Sequence, residues 1–157
     1  MKKALFFSLV IFFFANLNSQ SIENEKASYL DSLNQVLKVS AIDSVYLKTF
    51  SKVVKHYVKL NADTSLVLIS KGISEAVKRN NLKYQAQFIA YKARFFKSNK
   101  ELDSSVYYYN IALKRFLNNN DSSGYMSTIS NLANALKSQG RYEEATTNFI
   151  KAINYFD

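Results

Sequence analysis

From Tyr46 to Tyr57 the apolar residues Tyr46, Phe50, Val53, Val54 and Tyr57 fall at helical spacing, so they make one buried face on an α-helix. The stripe returns as Tyr84, Phe88, Tyr91 and Phe95, and again as Met126, Ile129, Leu132, Ala133 and Leu136. Between these lie three more stripes: Leu66, Ile69, Ile73 and Val77, then Val106, Tyr109, Leu113 and Phe116, then Tyr142, Ala145, Phe149 and Ile153. Asp63-Thr64 and Asp103 read as helix starts. Polar joints fall at Arg79-Asn80-Asn81, at Ser98-Asn99-Lys100 and from Asn118 to Gly124, and Gly140 enters the last helix. Leu30, Leu33, Val36 and Leu37 predict a lead helix within residues 20–40. The pattern predicts an all-α chain of three helix pairs, at about 41–80, 81–120 and 121–157.

The pairs are copies of one another. Stepping back forty residues maps Ala145, Phe149 and Ala152 onto Ser105, Tyr109 and Ala112, and then onto Ser65, Ile69 and Gly72. Ala133 and Leu136 map onto Ala93 and Phe96, then onto Val53 and His56. Small residues at fixed places let helices approach closely, and one pair cannot bury both of its faces, so neighbouring pairs must stack.

Ile129-x-x-Leu132-Ala133-x-x-Leu136, followed by Gly140-x-Tyr142-x-x-Ala145-x-x-x-Phe149-x-x-Ala152, resembles a tetratricopeptide repeat. The resemblance covers about residues 44–157 and is plainest in the third copy. Isoleucine stands where the family often has tryptophan, Asp157 where it often has proline, and the period is forty instead of about thirty-four. It implies an α–α superhelix of stacked antiparallel pairs, acting as a protein–protein interaction module. With an export leader, it also resembles the extracytoplasmic repeat region of bacterial signalling proteins, ahead of a kinase, cyclase or transcriptional regulator.

The leader reading rests on residues 1–19. Lys2 and Lys3 precede an apolar run from Ala4 to Ala15, and Asn16, Asn18 and Ser19 provide a polar exit. Twelve residues make about 18 Å of helix, short of the roughly 20 residues of a membrane span. The expectation is a cleaved signal peptide, a periplasmic or extracellular location, and no stable membrane span afterwards. Losing two lysines lowers the formal charge from +9 to +7. An exported protein of that charge meets acidic surfaces, not nucleic acid.

Composition narrows the chemistry. The chain has no cysteine, no proline, three glycines and one histidine, His56. Thiol chemistry and thiolate metal sites are excluded. No nucleophile–base constellation is visible, so neither enzyme activity nor a cofactor is expected. His56 sits where later copies have Phe96 and Leu136, and reads as a packing residue. Of Tyr107-Tyr108-Tyr109, one or two face inward. Glu143 and Glu144 suit the first turn of the last helix.

The resemblance implies that the partner, a protein or peptide, lies along the first helices of the pairs. Transferred residue by residue, that face comprises Leu47, Phe50, Val54 and Tyr57 in the first copy. The second adds Gln87, Tyr91, Arg94 and Lys97, and the third Ser127, Ser130, Asn131, Asn134 and Lys137. The partner-binding set is Tyr91, Arg94, Lys97, Asn131, Asn134 and Lys137: cations for an acidic group and amides for a peptide backbone. The basic residue of the chaperone-binding clamp is replaced by Phe50, Ala90 and Ser130, which disfavours that function. Lys48, Lys52, Lys55 and Lys59 form a separate stripe, read either as an ordinary solvent face or as a surface that steers the chain to acidic partners. At the far end, Tyr155 and Phe156 leave aromatic surface for a neighbour, another repeat or a second molecule.

Overall fold

The computed structural model describes residues 31–37, 43–60 and 63–154. The leader, the joint at 61–62, and Tyr155 and Phe156 lie outside the described residues. The chain divides into two compact units, Met1–Ser40 and Ala41–Asp157. In the first unit, residues 31–37 form a helix, α1, with Leu33 buried and Val36 exposed.

The second unit contains only helices among its described residues: α2 Asp43–Leu60, α3 Ser65–Lys78, α4 Leu82–Ser98, α5 Leu102–Asn118, α6 Ser122–Ser138 and α7 Tyr142–Ile153. Each packs antiparallel on its sequence neighbours in a helical-repeat stack. From α4 onward the helices begin at 82, 102, 122 and 142, so the backbone repeats every twenty residues.

One joint accounts for that regularity. Asn80, Lys100, Asn120 and Gly140 all have positive φ, between 48° and 78°. At each, the following N–H donates to the carbonyl five residues back: Asn81 to Ala76, Glu101 to Phe96, Asp121 to Phe116 and Arg141 to Leu136, at 2.8–3.0 Å. The left-handed residue itself donates three residues back, to Val77, Lys97, Leu117 and Lys137. This is the Schellman stop, which satisfies carbonyls the helix end leaves open. Asn81, Glu101, Asp121 and Arg141 then start the next helix, each accepting from the N–H four residues on. The joints are thus 79–81, 99–101, 119–121 and 139–141. Ser122, Ser123 and Gly124 belong to α6, a tighter turn than their loop-like composition suggests. Thr64, expected to cap α3, makes no side-chain capping bond, whereas Asn81 and Asp121 cap α4 and α6.

Side chains staple the start of one helix to the end of the next. Arg79 Nε donates to Asp43 Oδ1 at 2.8 Å, with its guanidinium 4.3 Å from the Tyr46 ring centre. Gln139 Nε2 donates to Asp103 Oδ1 at 2.7 Å across the same 36-residue separation. Close approach is set by small residues. A Cβ on Gly72 would lie 2.7 Å from the Phe88 ring, and one on Gly124 would intrude on the Phe116 ring. Phe88 and Phe116 are both buried, so neither ring has room to swing away.

The core follows the expected triplets, with differences. Ser65, Ser105, Ala145, Gly72, Ala112 and Ala152 are all buried, as are Ile69 and Tyr109, while Phe149 is half-buried. Tyr109 is buried, Tyr108 half-buried and Tyr107 exposed. Val77 is exposed, because α3 turns that position to solvent in its last turn. Tyr142 is also exposed, as are Leu82 and Ser122 at the same first position of α4 and α6. Ile153 occupies the place of Leu113 yet is 69% exposed against 8%, since Leu113 packs in a cluster with Ile129 and Leu132 of α6.

The joint and the close approaches predict opposite outcomes for two glycine changes. Gly124→Ala is expected to cost about 1–3 kcal/mol by overpacking against Phe116, more than the roughly 1 kcal/mol alanine gains in a helix. Lys100→Gly is expected to stabilise by about 0.5–1 kcal/mol, by relieving a left-handed conformation that lysine disfavours. Urea midpoints of the two variants measure both effects.

Candidate interaction groove

Two rows of helices face different surroundings. The even-numbered helices approach one another, α2 with α4 and α4 with α6, while among the described residues the backbones of α3, α5 and α7 stay further apart. A stack whose one row is drawn together and whose other row is splayed curves toward the closer row. The concave side is therefore formed by α2, α4 and α6.

A groove of about 280 Å³ lies on that side. Lys55 comes from α2, and Lys83, Gln87, Ala90, Tyr91 and Arg94 from α4. Ser123, Gly124, Ser127, Thr128 and Asn131 of α6 close it, and Phe116 of α5 and Asp121, the cap of α6, complete the lining. Lysines and an arginine line one wall, polar residues the other, with an aromatic contribution between.

The groove gathers Tyr91, Arg94 and Asn131 from the expected set. Lys97, Asn134 and Lys137 are not among its lining residues; Lys97 and Asn134 lie about one turn further along their helices and Lys137 nearly two. The first-copy face is corrected. Leu47, Phe50 and Val54 are buried in the core and present nothing to a partner; Lys55 is what α2 contributes. The apolar stripe of α2 faces the core, as its spacing predicts, so the face that the resemblance implies cannot lie on these residues. Asp121 and Lys83 were also missed, because a cap residue and a first-turn lysine read as ordinary helix-end chemistry.

The polar groups have defined partners. Asp121 Oδ1 accepts from the Gly124 N–H at 2.9 Å, the capping bond of α6, while Oδ2 lies 3.4 Å from Lys83 Nζ. The Asp121 side chain is only 9% exposed, so the carboxylate is held in the wall. Gln87 Nε2 donates to the Tyr91 hydroxyl at 3.0 Å, and burial pushes the Tyr91 pKa up. Asn131 Nδ2 donates to the Ser127 carbonyl at 2.7 Å, and Asn134 Nδ2 to the Ser130 carbonyl at 3.0 Å. Both asparagines thus spend amide donors on their own helix. Burial, and next the nearby Arg94 charge, push the Lys97 pKa down. His56 is half-buried with its ring edge-on to Tyr57, centroids 5.9 Å apart.

No group of three or more metal-ligating side chains occurs among the described residues, and none of their helices is long and apolar enough to cross a membrane.

Beneath α4, Tyr109 carries a buried hydroxyl with no hydrogen-bond partner, and burial raises its pKa to about 12. The folded chain holds this proton to about pH 12, whereas the unfolded chain releases it near pH 10. The associated stability is complete below about pH 10 and is lost as pH rises through about 12. Tyr109→Phe should fold as well as the parent or better, since it deletes an unpaired hydroxyl. Its stability should fall less steeply above about pH 10, as read by urea unfolding across that range. Comparison with protein-family models, with curated proteins and with solved structures finds no match for this chain.

Proposed function

We propose that the chain is a tetratricopeptide-type interaction module, exported by its leader, that binds a protein segment along the concave side of the stack. The observation that carries this is the groove, where Tyr91, Arg94 and Asn131 from two helices meet Lys55 from a third. Each comes from a different turn or helix, so the arrangement exists only when the repeats are stacked. Its chemistry is that of recognition: cations, amide and hydroxyl groups and partly covered aromatic rings orient a ligand. The repeat motif in the third copy and the short, uniform joints support the same assignment.

The test is to isolate peptide ligands by display selection on the purified protein and then fill the groove. Ser127 is exposed and lines the groove, so Ser127→Trp adds bulk there without altering charge or core. Lys114→Trp, on exposed α5 surface outside the groove, is the control. Ser127→Trp is expected to weaken a selected peptide by roughly tenfold or more, about 1.4 kcal/mol, with Lys114→Trp unchanged. Equal affinity for all three proteins would place the site elsewhere.

A further inference from the structure

The lysine stripe of α2 and the concave groove are not separate features. Lys55 belongs to both: it is the third member of the row Lys48, Lys52, Lys55 and Lys59, and it lines the groove with Arg94 and Asn131. At about 100° per residue the four lysines fall within an arc of about 60°, along about 16 Å of helix. All four are exposed, and none joins an ion pair among the described residues. Within the groove, Lys83 is matched by Asp121, the lone carboxylate in the lining, while Lys55 and Arg94 have no acidic counterpart there.

We propose that this continuous basic tract takes an acidic segment of a protein partner, recognised through internal aspartate or glutamate side chains. The proposal rests on the groove reading above and adds the chemistry of the occupant. Charge complementarity selects an acidic ligand: the row and the groove together offer Lys48, Lys52, Lys55, Lys59 and Arg94 against no free carboxylate. Shape selects a polypeptide over a bilayer. A flat anionic surface would reach the exposed lysines, but not Ala90, Tyr91 and Phe116, which are half-buried or buried in the groove lining. The spread of the cations selects internal side chains over a chain terminus: one terminal carboxylate can meet only one or two of five cations distributed along about 16 Å of helix and into the groove.

The experiment compares the acidic content of display-selected peptides with that of the unselected library. One selected peptide is then remade with its Asp and Glu replaced by Asn and Gln, and separately with an amidated C-terminus. Selected peptides should be enriched in Asp and Glu, and the neutralised peptide should bind at least about tenfold more weakly. Amidation should change nothing. Affinity should drop as salt rises from about 50 to about 300 mM. Lys55→Gln and Arg94→Gln, both at exposed positions, should each weaken the acidic peptide and leave the neutralised one unaffected. Selected peptides without acidic enrichment, or equal binding of the neutralised peptide, would overturn the acidic assignment. The groove reading would then still stand if Ser127→Trp blocks binding. Failure to select any peptide would overturn both. Phosphatidylserine vesicles that bind the protein and displace the peptide would overturn the assignment in favour of a membrane surface, and loss that follows amidation would point to a chain terminus.

Discussion

The structure depends on one backbone event repeated every twenty residues: a residue enters the left-handed region, and the next N–H reaches back to close the helix. Because Asn80, Lys100, Asn120 and Gly140 make the same turn, successive helices leave their joints in the same direction. Constant exit geometry makes a regular stack from a chain with no proline and few glycines. Asparagine and glycine are the residues most at home in this conformation, and three of the four joints use them. Lys100 is the exception, held there by the same pair of hydrogen bonds.

Packing converts that regularity into curvature. Buried small residues set the contact distances, and Phe88 on Gly72 and Phe116 on Gly124 show how close the approach becomes. With α4 in contact with both α2 and α6 and the backbones of α3, α5 and α7 further apart, the inner row forms a concave wall. Asp121 links the levels: it caps α6, meets Lys83 of α4 and forms part of the groove. A residue placed by helix-end chemistry thereby also sets the electrostatics of the site.

The helical stripes, the order of the pairs and most buried triplets were legible in the sequence, because burial imposes its period directly on residue type. The forty-residue period was legible too, but it is the side-chain period. The backbone repeats every twenty residues, and the two differ because alternate helices carry different small and aromatic patterns on identical joints. Joint boundaries were less visible, since Ser122, Ser123 and Gly124 have loop composition yet lie in α6. Within the candidate site, Tyr91, Arg94 and Asn131 come from the face that the resemblance implies and lie together in the groove, while Lys83 and Asp121 carried no such signal. Leu47, Phe50 and Val54 were misplaced by transferring the face that the resemblance implies, although the apolar stripe already put Phe50 and Val54 in the core. The link between the lysine stripe and the groove needed the packing of α2 on α4, which a stripe on a single helix does not encode.

The repeated joint is tested most directly by amide hydrogen exchange at Asn81, Glu101, Asp121 and Arg141. Each of these N–H groups sits just beyond a helix end, where an unstructured connection would exchange freely. The four backward hydrogen bonds predict that all are protected at a level comparable with mid-helix amides, while the first-turn amide of Leu102 exchanges fast. Exchange at any of the four as fast as at Leu102 would contradict the account.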